Sequence, residues 1–519
     1  MSEFRRYVRN ALVLVGASLL MRSVSLAFNA YVSTKIGAGG MGLFALIMSV
    51  YGFAVTFATS GINLAVTRLV AEALGRDERG RVRAVLRRAV LYAVFFGGVA
   101  SLALFLGASF IGTTLLGDIR TVPSLRLLAC SMVPIALSSV FSGYFTAVRR
   151  VSRNALTQLF EQGLRIGLTV FGLLALAPSG IGYACLALVG GSALAEFGSF
   201  FFLFVQYLFD RRRHFRNTRV PKNEKVLPQI LQISLPVAAS AYVRSGLVTV
   251  EHILIPFCLA LGSGSRDAAL ASYGILHSMA IPTLLYPTAV SSAFSGLLVT
   301  EMAESRARGE ERRVRYMAER ALSFTLIFGI GCAGLLLYFA PALGEALYHS
   351  GEAGYYIGLL APVAAVMYLD TTVDNILKGL GYQVFSMGVN IADSALSILL
   401  VLFLLPRMGA VGYVFVVIIA EIFNFSCSVL RLHRAVGFRL PLLRFLLAPL
   451  VAVVGATSLA RLAFSGLSLV PALVLTALLY LFLLLPLGCF TRGDLSWLAT
   501  LFPFRGSTKN TPAPTENSV

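Results

Sequence analysis

Charged side chains lie inside several strongly apolar segments of this sequence. Arg22 stands in the middle of the apolar stretch 10–33, and Arg244 has the same place in the stretch 235–259. An arginine at the bilayer centre costs roughly 2.5–3.5 kcal/mol even on the lenient insertion scale, so it faces a bundle interior or a wet cavity. Its planar guanidinium suits phosphate and diphosphate oxygens. We predict that Arg22 and Arg244 line one polar cavity and bind an anionic group there.

Acidic residues accompany arginine and lysine at helical spacing. Glu161 and Arg165 lie four residues apart, so they share a helix face and can pair. Arg165 is a third candidate for the anionic ligand, and the alternative is an internal salt bridge. Asp370, Asp374 and Lys378 form a stripe of two helical turns with the same two interpretations, transport coupling or mutual neutralisation.

Further oxygen-bearing residues fall in later apolar segments, namely Asn390, Asp393 and Glu421. Glu251 lies seven residues after Arg244 on the same helix face and could neutralise it. We assign Glu251, Asn390 and Asp393, together with Glu161 and the acids of the stripe, to the cavity or to coupling. No metal site can be assigned from these residues.

Composition identifies a membrane protein. The 519 residues are 57% hydrophobic and 13% charged, and the mean hydropathy is +0.81. Soluble domains carry about 25% charged residues. A net charge of +19 would indicate nucleic-acid binding in a soluble protein, but here the basic residues fall in short loops between apolar segments. We therefore expect no nucleic-acid partner. The six cysteines lie in apolar segments without a CxxC pair and do not indicate metal binding or disulfides.

The apolar segments predict an all-α polytopic fold with about fourteen membrane-spanning helices. Residues 70–89 match residues 299–321, which indicates two parallel six-helix repeats followed by two C-terminal helices. Arginine-rich loops alternate with short, weakly charged ones, so the positive-inside rule places both termini in the cytoplasm. The predicted units are an N-terminal lobe (1–209), a basic cytoplasmic linker (210–228), a C-terminal lobe (229–433), the last two spans (434–490) and a disordered cytoplasmic tail (491–519).

Catalytic motifs do not emerge from the sequence. The segment 37–42 matches G-x-G-x-x-G, but no strand precedes it, so we interpret it as a turn between the first two spans. P-loop, HExxH and G-x-S-x-G patterns are missing from the sequence. We therefore expect a transporter and not an enzyme, without a bound cofactor.

Five stretches in order resemble one known family. Residues 37–74, 155–168, 235–262, 376–394 and 412–425 are similar to the stage V sporulation protein B family, within the superfamily of multidrug, oligosaccharidyl-lipid and polysaccharide exporters. The resemblance implies two lobes that alternate access across the cell membrane. It also implies a lipid-linked cell-wall precursor as cargo, with undecaprenyl diphosphate as carrier, in spore-cortex or envelope peptidoglycan synthesis.

The same resemblance extends to lipid II flippases of the MurJ type. These relatives carry an arginine in the first span, which Arg22 matches. Some bind sodium between spans seven, eleven and twelve, where Glu251, Asn390, Asp393 and Glu421 lie here. The resemblance therefore leaves Na⁺ or H⁺ open as the coupling ion.

Two other functions compete with flipping. A drug or cation antiporter of the same fold would need a cavity dominated by acids, and the acidic stripe at residues 370–374 keeps that alternative open. A membrane-embedded glycosyltransferase is disfavoured because the predicted outer loops are short. The expected partners are a lipid-linked oligosaccharide and membrane lipids, with the chain acting as a monomer.

Overall fold

The computed structural model describes residues 2–176, 178, 180–214, 226–441, 443–463 and 466–489, and these ranges form helices with short connections and without any strand. The predicted tail 491–519 and the centre of the predicted linker, 215–225, lie outside the described residues. The expected all-α class is confirmed.

The described residues of the first half form seven α-helices. They are α1 (Ser2–Thr59), α2 (Ile62–Gly75), α3 (Arg79–Phe110), α4 (Thr121–Ala129), α5 (Met132–Ala147), α6 (Val151–Leu176) and α7 (Ile181–His214). A π-helical turn, Ile111–Leu115, extends α3. Helix α7 ends five residues beyond the predicted lobe boundary at residue 209.

The second half begins at α8, three residues before its predicted boundary. Its helices are α8 (Val226–Ser263), α9 (Arg266–Tyr273), α10 (Ile281–Leu285), α11 (Thr288–Ala307), α12 (Glu311–Tyr348), α13 (Gly351–Gly379) and α14 (Gln383–Val436). A π-helical segment, Gly274–Ala280, joins α9 to α10. Two more helices follow after a π-helical turn, Leu443–Leu447: α15 (Ala448–Ala463) and α16 (Leu469–Leu484).

Glycines divide the two longest helices. Gly37 in α1 has φ 68° and ψ 178°, and Gly409 in α14 has φ 59° and ψ −141°. Positive φ is readily adopted by glycine and is strained for other residues. Each long helix therefore consists of two straight lengths that meet at a glycine. The break at Gly37 confirms that the 37–42 glycine cluster begins at a turn between two helical lengths.

The described helices accommodate the predicted membrane spans. Ten segments are long and apolar enough to cross a bilayer, and the bent pair α4 and α5 adds an eleventh. Two of the ten, Leu20–Gly75 and Gln383–Val436, hold 56 and 54 residues and contain the glycine breaks, whereas about 20 residues suffice for one span. The shorter apolar helix α16 has 16 residues. About fourteen spans is compatible with this arrangement, and the number itself stays a prediction.

The first helices of the two halves lie at the interface between the halves. Helix α1 packs against α8, α9 and the π-helical segment Gly274–Ala280, and α8 also packs against α2 and α14. Gly42 and Gly274 allow α1 to pack closely against α9 and the π-helical segment. A Cβ atom on Gly42 would lie 2.0 Å from the carbonyl oxygen of Leu270. The matching positions of α1 and α8 agree with the internal repeat.

Large apolar side chains also cover the outside of the bundle. Phe95, Phe171 and Leu462 are 64%, 75% and 82% exposed. A soluble monomer rarely exposes such a continuous apolar surface, whereas a lipid-facing bundle requires it. Helices α15 and α16 pack on the outside of α12, where Tyr480 Oη donates to the Ile327 carbonyl at 2.7 Å.

Candidate functional site

A polar cavity of about 840 Å³ lies between the two halves. Its walls come from both lengths of α1, from α6, α7 and α8, and from the segment 277–286. Ligand cavities typically measure about 300–1,000 Å³, so this volume suits a sizeable polar headgroup. Among the candidate residues of the sequence analysis, Arg22 and Arg165 line this cavity.

Arg22 reaches from α1 to the second half of the chain. Its Nη1 donates to the Leu285 carbonyl at 3.0 Å and to Thr288 Oγ1 at 2.6 Å, and the neighbouring Ser23 hydroxyl bonds Tyr286 Oη at 2.7 Å. The side chain is exposed to the cavity, and within the described residues no carboxylate pairs with it. An arginine held by neutral acceptors keeps its full charge for an anionic ligand.

Arg165 is already paired with acids. Its guanidinium bonds Glu161 Oε1 and lies 3.6 Å from Glu196 Oε1, while Ser199 Oγ donates to Glu161 Oε2 at 3.0 Å. The predicted pairing of Glu161 with Arg165 is confirmed. Glu196 on α7 was not predicted for the site, because its contact depends on how two helices rotate against each other. Binding of diphosphate by Arg165 stays a prediction.

Arg244 occupies a different surface of α8 from the cavity. The next residue, Ser245, lines the cavity and Arg244 does not. Arg244 is exposed and makes no hydrogen bond or ion pair with the described part of the chain, although its charge interacts with that of Asp393. The two arginines thus do not face each other across one cavity in this conformation, and the role of Arg244 in binding stays a prediction.

The acids of the second half form a separate cluster. The carboxyl group of Asp393 lies close enough to those of Glu251, Asp370 and Glu421 for their charges to interact. These residues come from α8, α13 and the two lengths of α14. The sequence predicted cavity or coupling roles for Glu251, Asp370 and Asp393, but not that their carboxyl groups lie close to one another.

Two members of the predicted coupling set have local partners. Lys378 Nζ lies 2.6 Å from Asp374 Oδ2, so part of the acidic stripe is neutralised within its own helix. Asn390 Nδ2 donates to the Ser386 carbonyl at 2.7 Å. By contrast, one carboxylate oxygen each of Asp370 and Asp393 is buried without a hydrogen-bond partner in the described chain.

Metal-binding geometry is not met within the described ranges, because no three histidine, cysteine or acidic side chains converge there as ligands. Sodium is also bound by amide and backbone oxygens. Na⁺ or H⁺ as the coupling ion therefore stays a prediction.

Two histidines of the cavity were not assigned a role from the sequence. His252 on α8 and His277 on the π-helical segment both line it, with ring centroids 4.3 Å apart. The Tyr273 hydroxyl bonds His252 Nδ1 at 2.9 Å, and the Tyr273 ring stacks on His277. Their only sequence signal was a polar side chain inside an apolar segment.

A charged contact joins the halves at one end of the cavity region. Buried Asp118 accepts hydrogen bonds from the Arg120 backbone and Nε at 2.9 Å and from its Nη2 at 2.5 Å, and Arg120 Nη2 lies 3.4 Å from Asp267 of the second half. Arg266 donates to the Leu116 carbonyl. Burial raises the pKa of Asp118, but the Arg120 hydrogen bonds and charge outweigh it, so this pKa lies below its usual value.

Two helical halves around a polar cavity, with an apolar exterior, define a multi-pass membrane protein with the fold of a transporter. The chain belongs to the polysaccharide biosynthesis protein family, which matches residues 7–294. It is 26% identical to stage V sporulation protein B of Bacillus subtilis (strain 168), over 78% of this chain and 79% of that protein. It is 21% identical to the lipid II flippase MurJ of the same organism, over 83% of this chain and 84% of that protein.

Solved structures share the fold. The lipid II flippase MurJ in an inward closed conformation superposes with a TM-score of 0.71 at 14% identity, covering 93% of this chain and all of that one. An inward-facing multidrug resistance MATE family transporter of the MOP superfamily gives 0.61 at 15% identity, over 82% and 99% of the two chains. The resemblance to stage V sporulation protein B is confirmed, and the chain shares the helical fold of these structures. These relatives are by name a sporulation protein, a flippase and a transporter, which agrees with the expectation of transport and not catalysis.

Proposed function

We propose that this protein flips a saccharide linked to undecaprenyl diphosphate across the cell membrane, by alternating access between its two halves, during cell-wall or spore-cortex synthesis. The observation that carries the proposal is Arg22, a charged guanidinium that lines the cavity between the halves without an acidic partner in the described chain. A diphosphate that leaves water needs compensating positive charge, and guanidinium supplies it with two parallel hydrogen bonds.

The relatives support this cargo class. The named flippase among them acts on lipid II, and the family is described by polysaccharide biosynthesis. Both halves contribute residues to the cavity wall, so a rocking motion of the halves would change which side of the membrane the cavity faces. The cargo is expected to enter from the cytoplasmic side, on which the positive-inside rule predicts both termini.

Antiport of a cation is the second candidate, and the acidic cluster around Asp393 favours it. Four interacting carboxyl groups, with one nearby arginine, offer negative charge for a cation. The cluster and the Arg22 cavity lie on different faces of α8, so the acids could also drive flipping by binding a coupling ion. We favour flipping that is driven by a coupling ion at the acidic cluster, because the cavity itself presents an unpaired arginine and not an unpaired acid.

Reconstitution of the purified chain in vesicles distinguishes the two functions. Labelled lipid II should become exposed in the opposite leaflet at a rate well above that of empty vesicles, and a cationic dye should not move. Protein-free vesicles and vesicles with heat-denatured protein serve as controls. Movement of the dye without movement of the lipid would replace flipping by antiport.

A further inference from the structure

We propose that the cavity binds its cargo in two separate places: Arg22 holds the diphosphate, and the end with His252 and His277 binds the saccharide. This inference rests on the proposed function and assigns each part of the cargo to its own residues. It follows from the positions and the chemistry of the lining side chains.

The two places lie at different depths along α1. Arg22 contacts Leu285 and Thr288, whereas Asn29 Nδ2 donates to the Ser278 carbonyl at 2.5 Å. Seven residues of helix correspond to about 10 Å at a rise of about 1.5 Å per residue. Because His277 directly precedes Ser278, the histidine end of the cavity is displaced from Arg22 by this distance. A diphosphate and the first sugar attached to it span a comparable length.

The histidine end presents neutral hydrogen-bonding groups. Tyr273 bonds Nδ1 of His252, and no hydrogen bond within the described chain engages Nε2 of this ring, which lines the cavity. A neutral imidazole offers one donor and one acceptor, and either tautomer therefore leaves Nε2 able to bond a hydroxyl group. Sugar hydroxyls both donate and accept, so they match such a site in either case. The Thr249 hydroxyl, which also lines the cavity, adds another neutral group.

Packing holds both rings in place before any cargo arrives. Tyr273 is fully buried, its ring stacks on His277 at an interplanar angle of 5°, and its hydroxyl bonds His252. Preorganised side chains lose little conformational entropy when they bind a ligand, which raises affinity and selectivity. The two rings belong to different helices of the second half, so the pair depends on the fold and not on sequence proximity.

Charge argues against a second phosphate site at this end. Two imidazoles with centroids 4.3 Å apart repel each other if both are protonated, so they do not form a dication for a diphosphate. The other arginine of the cavity, Arg165, already pairs with Glu161 and lies near Glu196. Arg22 is therefore the stronger position for the phosphates.

Binding measurements with two probes on the full-length chain in lipid nanodiscs test this division. The probes are undecaprenyl diphosphate and the same lipid carrying one N-acetylglucosamine. We expect His252→Phe and His277→Phe, which keep an aromatic ring, to weaken binding of the glycosylated probe by about tenfold and leave the bare probe unchanged. Arg22→Gln should weaken both probes. His433→Phe replaces an exposed histidine that does not line the cavity and should change neither.

His252→Gln and His277→Gln keep a hydrogen-bonding group and should retain part of the preference for the glycosylated probe, and thermal melting shows that each variant is folded. Equal weakening of both probes by the histidine variants, or no effect on either, would overturn the saccharide site while leaving the flippase proposal in place. Equal binding of both probes by the wild-type chain would also overturn the saccharide site without contradicting the flippase proposal. A wild-type chain that binds neither probe would contradict the flippase proposal as well.

Discussion

Asparagine in place of Asp118 removes the negative charge at the centre of the contact between the Asp118–Arg120 loop and the start of α9. In the wild type this carboxylate accepts hydrogen bonds from three N–H groups of Arg120, which in turn reaches Asp267 across the interface of the halves. Asparagine keeps the size of the side chain and one acceptor. The substitution therefore tests the charge of the contact and not its packing.

The expected loss of interaction free energy depends on the solvent exposure of the paired side chains. A hydrogen bond to a charged group contributes about 1.5–3 kcal/mol. Asp118 is only 7% exposed, but Arg120 is 39% exposed, so solvent screens part of the interaction and we expect about 1–2 kcal/mol. The remaining pair with Asp267, which is 84% exposed, adds little. This loss corresponds to a shift of about 5- to 30-fold toward conformations in which the halves are separated at this end.

Spin labels report that separation directly. Cysteines introduced at exposed positions 119 and 268, in a background without native cysteines, place one label on each half. Asp118→Asn should add a population with a longer distance between the labels. Glu304→Gln is the matched control, because it breaks an exposed ion pair between Glu304 in α11 and Arg308 at the end of that helix. This variant should leave the distances unchanged. Unaltered distances in Asp118→Asn would refute the role of this charged contact.

The pH dependence of the same distances has a defined sign. Because the pKa of Asp118 is depressed in the folded protein, its contribution is present above the ordinary carboxyl value and is lost only as pH falls below that value, about 3.9. The wild-type distances should therefore stay the same from about pH 8 to about pH 5. A longer-distance population that grows within this range would show that another group controls the contact.

Three further predictions concern topology and the intramembrane charges. A reporter fused after residue 219 should read cytoplasmic and one after residue 266 external; the same side for both would show a wrong span count. Asp370→Asn should reduce transport at least about tenfold, because a carboxylate oxygen of Asp370 is buried without a partner in the described chain. Replacing both Asp374 and Lys378 by neutral residues should change transport little, because the two side chains pair with each other. Equal effects of the two changes would show that Asp370 has no role in coupling. Arg165→Ala leaves two neighbouring acids without their arginine and should lower the melting temperature more than the double variant Arg165→Ala/Glu161→Ala, and the reverse order would contradict the pairing.

Periodicity and hydropathy predict most of this fold, because a membrane span has a simple physical requirement of length and apolarity. The glycine cluster at 37–42 also predicted a turn, and Gly37 provides it with a positive φ. Pairs within one helix were predictable too: Glu161 with Arg165 and Asp374 with Lys378 lie four residues apart. Such contacts depend only on helix geometry.

Contacts between helices could not be predicted in the same way. The repeat predicted equal positions for Arg22 and Arg244, but one residue along a helix turns a side chain by about 100°. Ser245 lines the cavity, and Arg244 does not. Glu196 joins Arg165, and His252 meets His277, only through the rotation and crossing of separate helices. Sequence spacing carries no information on that rotation.

Flipping of labelled lipid II by Arg22 variants in reconstituted vesicles tests the central claim most directly. Loss of a desolvated charge–charge contact costs roughly 2–5 kcal/mol, so Arg22→Ala should slow flipping by about 30-fold or more. Arg22→Lys keeps the charge but loses the bidentate geometry, so part of the activity should remain. Arg461→Ala, at an exposed arginine of α15 outside the cavity, should flip like the wild type at equal membrane insertion. Normal flipping by a correctly inserted Arg22→Ala protein would contradict the account.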